Sequence, residues 1–427
     1  MLLCILIFEQ GKSLFVSCVI FAFVLLYMID IKVELKPTGP ELSFSQRLIY
    51  SPSILNLKNL SNSSIPVYAS HSPTSLNDGI SFHTDYQRVK GRFLSELNIP
   101  QGLRKLTGED VLKSTPQVFD SRYKSPCWIN DKHILRCLPY CFSAGIPKSA
   151  TTDMNSKIVS HPDIVDGRGE HWWTRNRYNG YKNIWATERK GSVAFERYLN
   201  GFGLLANKLH IGLSDLAAHL ISVDRSTSLL WDNHILDGVD GGPEYTHADV
   251  IRLVQPNAKI IAIFRNPSER LYSDYKYFKQ MQHKSPDLFH KKVVNSLRIF
   301  NNCLKDHDIR KCTYTYKGDV RLHIGNYNIF VREWMRAFPR NQLHFLRTDE
   351  WKNCAVELPK IYDFLNIRVL NASELTSICN GKLKNVNTSS KKLGPMLTET
   401  RILLDDFYRP FLKDLANILE DDRYTWN

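Results

Sequence analysis

A short polar turn around Lys148 is the first part of the sequence with residues suited to chemistry. The turn follows an apolar run over residues 139–144 and precedes a helix-compatible segment over residues 151–159. Backbone N–H groups and the dipole at the start of a helix attract anions; Lys148 adds a point charge, and the hydroxyl groups add donors. The sequence therefore predicts an anion site here. The residues of the turn are Gly145, Ile146, Pro147, Lys148, Ser149, Ala150, Thr151 and Thr152.

The same turn excludes one common class of phosphate-binding protein. Magnesium-dependent nucleotide kinases and NTPases require a glycine directly before the loop lysine, and Pro147 occupies that position. An ordinary surface loop with an exposed lysine remains the alternative interpretation of this segment taken alone.

A second strand-to-helix unit begins with residues 258–264 (AKIIAIF), the pattern of a buried strand. Asn266 suits an N-cap, Pro267 the first helical position and Glu269 the third, as in a variant of the capping box. The amphipathic pattern predicts a helix through residue 278. Arg265 can hold a phosphate at this helix start, and Ser273 lies two turns into the helix as a donor. A capped surface helix with charged residues is the competing interpretation.

The elements that must position these groups alternate between strands and helices. A third strand is predicted over residues 342–346, after a helix-like segment over residues 327–338. This alternation predicts an α/β fold with a central, mostly parallel sheet flanked by helices, whose ligands bind at the carboxyl ends of the strands.

Both units resemble motifs of one family, the PAPS-dependent carbohydrate sulfotransferases. PKSATT at residues 147–152 resembles the family's loop for the 5′-phosphosulfate, often written PKxGTT, with Ala150 in place of the glycine. RNPSERLYSDY at residues 265–275 resembles its 3′-phosphate motif. The resemblance covers most of residues 120–427, including GEHWWTRNRY (169–178) and the segments 316–334 and 393–411. It is closest to glycosaminoglycan sulfotransferases, in particular the N-acetylgalactosamine 4-sulfate 6-O-sulfotransferases, and more distant to the heparan sulfate enzymes.

The resemblance implies a P-loop-like sulfotransferase fold, 3′-phosphoadenosine 5′-phosphosulfate (PAPS) as the sulfonate donor, and no metal ion. Lys148 would stabilise the leaving phosphate, while Arg265 and Ser273 would bind the 3′-phosphate. Lys317 and Gly318 resemble a cofactor-contacting position of the heparan enzymes, although a solvated lysine is an equal alternative. The implied cofactor-binding residues are Lys148, Ser149, Ala150, Thr151, Thr152, Arg265, Ser273, Lys317 and Gly318.

Catalysis also requires a base for the acceptor hydroxyl and contacts for an anionic sugar chain. Glu170 occupies the position of the base in the related heparan enzymes, and His171 is the second candidate. A structural ion pair with Arg168 or Arg175 is the alternative role of Glu170. The predicted substrate-binding residues are Trp172, Trp173, Arg175 and Arg177, although core packing explains the tryptophans equally well.

Composition and charge agree with an anionic partner. The 427 residues include 56 Lys and Arg against 43 Asp and Glu, a formal charge of +13. This charge suits nucleic acid, a membrane surface or a polyanionic glycan, so it does not choose among them. The acceptor expected from the resemblance is a sulfated glycosaminoglycan; a homo-oligomer remains an open option.

The N-terminus predicts attachment to a membrane. Residues 13–29 are uncharged and just long enough to cross a bilayer. No small residues suited to signal-peptide cleavage follow, so an uncleaved anchor is favoured over a signal peptide. The predicted organisation is a cytoplasmic tail (1–12), a transmembrane signal anchor (13–29), a stem (30–115) and a lumenal domain (116–427). With the resemblance, this predicts a single-pass type II protein of the Golgi membrane, in which nucleic acid is a poor partner.

Sequons and cysteines favour the same compartment. Asn59, Asn62, Asn371 and Asn387 each open an Asn-x-Ser/Thr triplet. Seven of the nine cysteines follow the anchor, as expected for disulfides in an oxidising compartment. Among many pairings, Cys303 with Cys312 is favoured because the two are close in sequence. Two alternatives to the main hypothesis remain, a heparan sulfate sulfotransferase and an inactive membrane-bound glycan-binding protein.

Overall fold

The computed structural model describes residues 92–169, 171–178, 194–211, 217–233, 242–277, 284–381 and 393–426. The chain divides into two units, Met1–Leu55 and Asn56–Asn427, and every described residue belongs to the second. No described helix is both long and apolar enough to cross a membrane. Several predictions fall outside the described residues: the tail and anchor, residues 30–91 of the stem, Glu170, Asn59, Asn62 and Asn387.

The described residues form seven strands and fourteen α-helices, with short 3₁₀ turns between them. The strands are β1 (Cys127–Ile129), β2 (Leu135–Cys137), β3 (Cys141–Gly145), β4 (Ile164–Asp166), β5 (Ile221–Asp224), β6 (Lys259–Phe264) and β7 (Leu343–Arg347). The helices are α1 (Gln101–Thr107), α2 (Glu109–Ser114), α3 (Thr151–Ile158), α4 (Phe195–Asn200), α5 (Gly203–Ile211), α6 (His247–Val254), α7 (Pro267–Tyr277), α8 (Pro286–Asp306), α9 (Ile309–Tyr314), α10 (Tyr327–Ala337), α11 (Thr348–Trp351), α12 (Cys354–Phe364), α13 (Ala372–Cys379) and α14 (Thr398–Leu419).

Five strands form one parallel sheet in the order β4-β5-β3-β6-β7, and β1 and β2 form a separate antiparallel pair. After β3 the chain turns towards β4 and β5, whereas after β6 it turns the other way, towards β7. The carboxyl ends of β3 and β6 therefore flank the point where the winding reverses, which is the ligand-binding crevice of open α/β sheets. The predicted mostly parallel sheet is confirmed.

The local sequence patterns predicted the bounds of several of these elements closely. The strands predicted over residues 258–264 and 342–346 are β6 and β7, and the helices predicted after each phosphate-binding turn are α3 and α7. Asn266 caps α7 as expected, because its Oδ1 accepts a hydrogen bond from the Glu269 N–H at 3.1 Å. Glu269 does not complete the predicted capping box; its carboxylate lies beside Arg265 and Arg401 instead.

Helices pack on the sheet and exclude water from its central strands. On one face, Met154 of α3 and Leu358 and Ile361 of α12 are fully buried in the same cluster as Ile263 of β6. Burial of such aliphatic side chains supplies roughly 1.5–3 kcal/mol each relative to exposure. The strand ends that carry the candidate site are thus held by a rigid support.

The folded part of the chain begins before the predicted start of the domain at residue 116. Residues 101–114 form α1 and α2, in which Val111 and Leu112 are fully buried. The backbone N–H of Leu94 also donates to the Thr115 carbonyl at 3.0 Å. The described end of the predicted stem, residues 92–115, is therefore built into the fold because its apolar side chains are covered.

Three disulfides among the described residues join elements that lie close in sequence. The Cys303–Cys312 bond that the sequence favoured joins α8 to α9. Cys127–Cys137 links β1 to β2, and Cys354–Cys379 links α12 to α13. Cys141, in the central strand β3, is a free thiol and is buried.

Candidate active site

The turn between β3 and α3 contains two non-glycine residues in a backbone conformation that glycine adopts more easily. Lys148 and Ala150 both have positive φ angles, 70° and 62°. Non-glycine residues in this region cost of order 1–2 kcal/mol each, and such strain concentrates at functional sites. The family motif that this loop resembles has glycine at the position of Ala150, and the structure gives the physical reason for that glycine.

Ser149 presents an unpaired hydroxyl inside this turn. Its side chain is 0% exposed, and its Oγ has no hydrogen-bond partner among the described residues. A buried hydroxyl without a partner costs about 1–3 kcal/mol, so an acceptor on a bound ligand would relieve that cost. Thr151, also buried, starts α3 beside it, and Thr152 is exposed at the next position. The turn therefore fits an anionic group such as a phosphosulfate.

Lys148 reaches from this turn to α7. Its ammonium nitrogen lies 3.6 Å from the centroid of the Tyr277 ring. Burial lowers the pKa of Lys148 to about 8; the Asp274 carboxylate opposes this shift, and Arg265 and Arg321 add to it. At neutral pH the lysine still carries its charge in a partly desolvated place, where it acts more strongly on an anion than in water.

The β6–α7 unit meets the Lys148 turn directly. Arg265 Nη1 donates to the Lys148 carbonyl at 3.4 Å, and its Nη2 lies 3.4 Å from Glu269. The Thr348 hydroxyl, which the sequence analysis did not single out, lies 3.2 Å from the Ser149 carbonyl and 2.9 Å from the Phe264 carbonyl. The structure thus joins the two predicted phosphate-binding turns. Ser273 is half-buried two turns along α7.

A buried carboxylate next to Ser273 organises further cations. Asp274 is 4% exposed; Arg321 Nε donates to its Oδ2 at 2.7 Å, and Arg270 Nη1 lies 3.6 Å away. Sequence reasoning missed both Asp274 and Arg321, although they lie inside the segments 265–275 and 316–334, because no local pattern marks residues 47 positions apart as partners.

Lys317 and Gly318 lie in the turn that leads to Arg321. Lys317 is exposed. A side chain at position 318 would come within 1.9 Å of the Tyr316 hydroxyl, whose hydrogen donates to the Val320 carbonyl at 3.0 Å. The turn therefore requires glycine. Lys317 precedes Arg321, the arginine that is bound to Asp274, by four residues in the sequence.

His171 is held by two serines that follow β5. Its Nδ1 lies 2.6 Å from Ser228 Oγ, and its backbone N–H donates to Ser226 Oγ at 2.9 Å. Burial, with a contribution from Arg175, lowers the pKa of His171 to about 4, so the ring is uncharged at neutral pH. An uncharged imidazole can accept a proton, but so low a pKa makes it a weak base.

The predicted acceptor-binding residues separate into two groups. Trp172 and Trp173 are 2% and 1% exposed; Trp172 stacks on Tyr198, and Trp173 meets the same ring edge-on. Of the two interpretations of their role, burial favours core packing. Arg177 lies against both indoles, with its guanidinium turned inward to the Thr107 carbonyl.

Arg175 differs from Arg177 because it remains partly exposed. Its Nε donates to the buried Asp232 carboxylate at 2.6 Å, and its guanidinium lies 5.8 Å from the Trp231 ring centroid. Arg321 lies 5.8 Å from the same ring. Trp231 therefore connects the Arg175 region with the cations around Lys148.

Known proteins show similarity along this chain. The family profile described as the sulfotransferase domain matches residues 244–401. Carbohydrate sulfotransferase 15 of Homo sapiens is 29% identical, over 98% of this chain and 86% of that protein. The Rattus norvegicus protein of that name is 34% identical over 70% of this chain and 56% of its own length. That of Nototodarus sloanii is 30% identical over 29% of this chain and 80% of its own length.

Proposed function

Because the chain belongs to the carbohydrate sulfotransferase family, we propose that it transfers a sulfonate group from PAPS to a hydroxyl group of a glycosaminoglycan. The acceptor we propose is the 6-hydroxyl of N-acetylgalactosamine 4-sulfate in chondroitin or dermatan sulfate. PAPS would supply a sulfonate group on a phosphosulfate anhydride. The bond formed is between the sugar oxygen and sulfur, the bond broken is between sulfur and the phosphate oxygen, and the hydroxyl proton passes to a base.

One observation carries this proposal, the contact between the two phosphate-binding turns. Arg265 donates to the Lys148 carbonyl at 3.4 Å, and the unpaired Ser149 hydroxyl is buried in the same turn. A donor with phosphate groups at both its 5′ and 3′ positions needs two anion sites that belong to one crevice. The carboxyl ends of β3 and β6 provide such a pair of sites.

Each side chain has a separate role in the proposed reaction. Lys148 would stabilise charge on the leaving phosphate, and Ser149 with Thr151 and Thr152 would hold the phosphosulfate. Arg265 and Ser273 would bind the 3′-phosphate, and Lys317 and Gly318 would contact the same donor. Electrostatic groups of this kind are worth on the order of a hundredfold in rate when one is removed.

We assign the base role to Glu170, which lies outside the described residues. The two residues next to it in the sequence are held in place: Gly169 is buried against Asp224, and the His171 N–H donates to Ser226 Oγ. His171 is the second choice because of its lowered pKa. Arg175 is the proposed contact for an acidic group of the acceptor.

The proposal includes the compartment. An anchor over residues 13–29 would place the domain in the Golgi lumen, where Asn59, Asn62, Asn371 and Asn387 would meet the glycosylation machinery. Asn371 is exposed at the start of α13, where its Oδ1 caps the helix. Glycosidase treatment of the full chain and of its Asn371→Gln variant tests this placement through a mobility shift.

The decisive experiment is transfer of labelled sulfonate from PAPS to purified chondroitin 4-sulfate, dermatan sulfate and heparan sulfate, followed by disaccharide analysis. We expect 6-O-sulfation of the 4-sulfated galactosamine. Lys148→Ala should lower kcat/KM at least a hundredfold, whereas Lys352→Ala, at an exposed lysine beside Asp349, should not change it. Product on heparan alone would assign a different acceptor, and full activity of Lys148→Ala would overturn the mechanism.

A further inference from the structure

The contact between Lys148 and Tyr277 is the closest cation–aromatic contact among the described residues. The ammonium nitrogen lies 3.6 Å from the ring centroid, whereas the next closest pair, Lys276 with Tyr272, is at 4.5 Å. The Tyr277 ring is 40% exposed, so core packing does not account for its place. The contact itself requires an explanation.

The position of Tyr277 on α7 connects it to the donor site. It lies four residues after Ser273, and residues four apart share one face of a helix. The helix that begins beside Arg265 thus carries an aromatic ring up to the lysine of the neighbouring turn. Tyr277 spans from one phosphate-binding unit to the reactive cation of the other.

An aromatic ring and a carboxylate would hold this lysine with different consequences. A carboxylate would neutralise the ammonium and repel an incoming phosphosulfate. The face of a tyrosine ring attracts a cation through its quadrupole but has no formal charge, so it leaves the lysine charge available to an anion. The ring also restricts a side chain with four rotatable bonds, which otherwise loses that freedom when the anion binds.

We propose that Tyr277 is a positioning residue that holds the Lys148 ammonium in place for the sulfonate donor. This inference rests on the proposed function, because it requires that Lys148 bind the donor. The ring does not touch the reacting atoms. It orients the cation and, together with Asp274, favours its charged state against burial and against the repulsion of Arg265 and Arg321.

The test compares Tyr277→Phe, which keeps the ring, with Tyr277→Leu, which removes it. Cation–π contacts of this kind correspond to roughly a 3- to 30-fold effect. We expect the phenylalanine variant to stay within about twofold of wild type. The leucine variant should lose roughly 3- to 30-fold in kcat/KM, and its alkaline limb in the pH–rate profile should move to lower pH.

A double-mutant cycle separates positioning from general structure. Binding of 3′-phosphoadenosine 5′-phosphate (PAP) is measured by calorimetry for the full chain, Lys148→Met, Tyr277→Leu and the double variant. If Tyr277 acts through Lys148, the leucine substitution should have no further effect once the lysine is gone. An equal loss in both backgrounds would overturn the proposal.

The matched control is Phe364→Leu. Phe364 also lies beneath a lysine, since Lys259 Nζ is 4.7 Å from its ring centroid, but that pair is at the amino end of β6. We expect no change in kcat/KM or in PAP affinity. If Tyr277→Leu unfolds, Tyr277→Gln gives a second ringless variant at this partly exposed position.

The outcomes also distinguish this inference from the proposed function. If Lys148→Met loses activity but Tyr277→Leu keeps the wild-type kcat/KM, the proposed sulfotransferase function stands and the proposed role of the Tyr277 ring is overturned. Equal damage from phenylalanine and leucine would assign the effect to the hydroxyl group, and again overturn it. Absence of transfer by the wild-type chain to every glycan would instead remove the proposed function itself.

Discussion

At the scale of single residues, the donor turn combines strain with desolvation. Lys148 and Ala150 have left-handed backbone angles, and Ser149 buries a hydroxyl without a partner. Each feature destabilises the ligand-free fold. Binding of an anion would relieve the last of them and would be favoured by the charge on Lys148. If the turn binds the donor as proposed, these features lower the stability of the ligand-free protein and raise its affinity for the anion.

The lowered pKa of Lys148 predicts an alkaline limit on donor binding. Because that pKa is about 8 in the free protein, the charged form is lost as pH rises through 8. A bound anion raises the pKa again, so binding takes up a proton. PAP affinity measured by calorimetry should fall about tenfold between pH 7 and pH 9.

Lys148→Arg provides the control for this pH dependence, because an arginine stays charged at pH 9. Its affinity should be nearly flat over the same range, whatever its value at pH 7. A wild-type affinity that does not change between pH 7 and pH 9.5 would contradict the assignment of Lys148 as the titrating group.

The left-handed backbone conformation of Ala150 predicts that glycine at this position stabilises the ligand-free protein. Ala150→Gly removes the cost of a left-handed alanine but adds backbone entropy to the unfolded chain. The net gain should be about 0.5–1 kcal/mol in the free energy of unfolding, measured by urea denaturation. Ala355→Gly, at an exposed position inside α12, should destabilise by about 1 kcal/mol. A change of the same sign in the free energy of unfolding of both variants would contradict this account.

At the scale of elements, the site depends on how α7 is fixed to its neighbours. Asp274 bonds Arg321, which precedes α10, and lies 3.6 Å from Arg270, which is 0% exposed. The Arg270 Nη2 also donates to the Arg321 carbonyl at 2.9 Å. One carboxylate therefore fixes the position of α7 relative to the turn after Lys317.

Asp274→Ala should strongly destabilise the protein, because it leaves the buried Arg270 without an anionic partner. Breaking a buried pair from one side costs about 3–5 kcal/mol. Urea denaturation followed by circular dichroism measures this loss. Asp406→Ala removes an exposed carboxylate paired with Arg409 and should cost less than about 1 kcal/mol. Similar losses in both variants would show that Asp274 has no special role.

The sequence predicted those elements whose signals are local. An apolar run before Arg265 and the Asn266-Pro267 start of α7 are contained in a few residues, so β6 and α7 were placed to within about one residue. The Asp274–Arg321 pair and the Thr348 bridge could not be predicted, because they join residues far apart in sequence. Trp172 and Trp173 remained ambiguous for a different reason, because aromatic pairs have the same sequence signal in a core and in a sugar-binding site.

At the scale of the whole molecule, the catalytic unit includes residues that the composition assigned to the stem. Thr107 and Asp110 contact Arg177, which in turn packs on the two buried tryptophans. The helices α1 and α2 thus support the segment that follows His171. The folded unit therefore extends on its N-terminal side to residue 92 at least, beyond the expected start at residue 116.

Two truncations of the chain test this boundary. A chain of residues 92–427 behind a cleavable secretion signal should keep kcat/KM within about twofold and keep its Tm. A chain of residues 117–427 should be strongly destabilised, because it loses the buried Val111 and Leu112, at roughly 1.5–3 kcal/mol each. Thermal denaturation and transfer to chondroitin 4-sulfate measure both effects. Equal stability of the two chains would place the boundary at residue 116.

The arrangement of the cysteines has a consequence for how the protein is made. The three disulfides close segments of 9, 10 and 25 residues, so each partner is available soon after synthesis of the first, and none must wait for the C-terminus. The seventh cysteine of this region, Cys141, is sealed inside the central strand, where burial raises the pKa of its thiol well above the usual range. A thiol that is neither charged nor accessible does not attack a finished disulfide. Once the sheet has formed, the oxidised pairing is therefore protected from rearrangement by the fold itself.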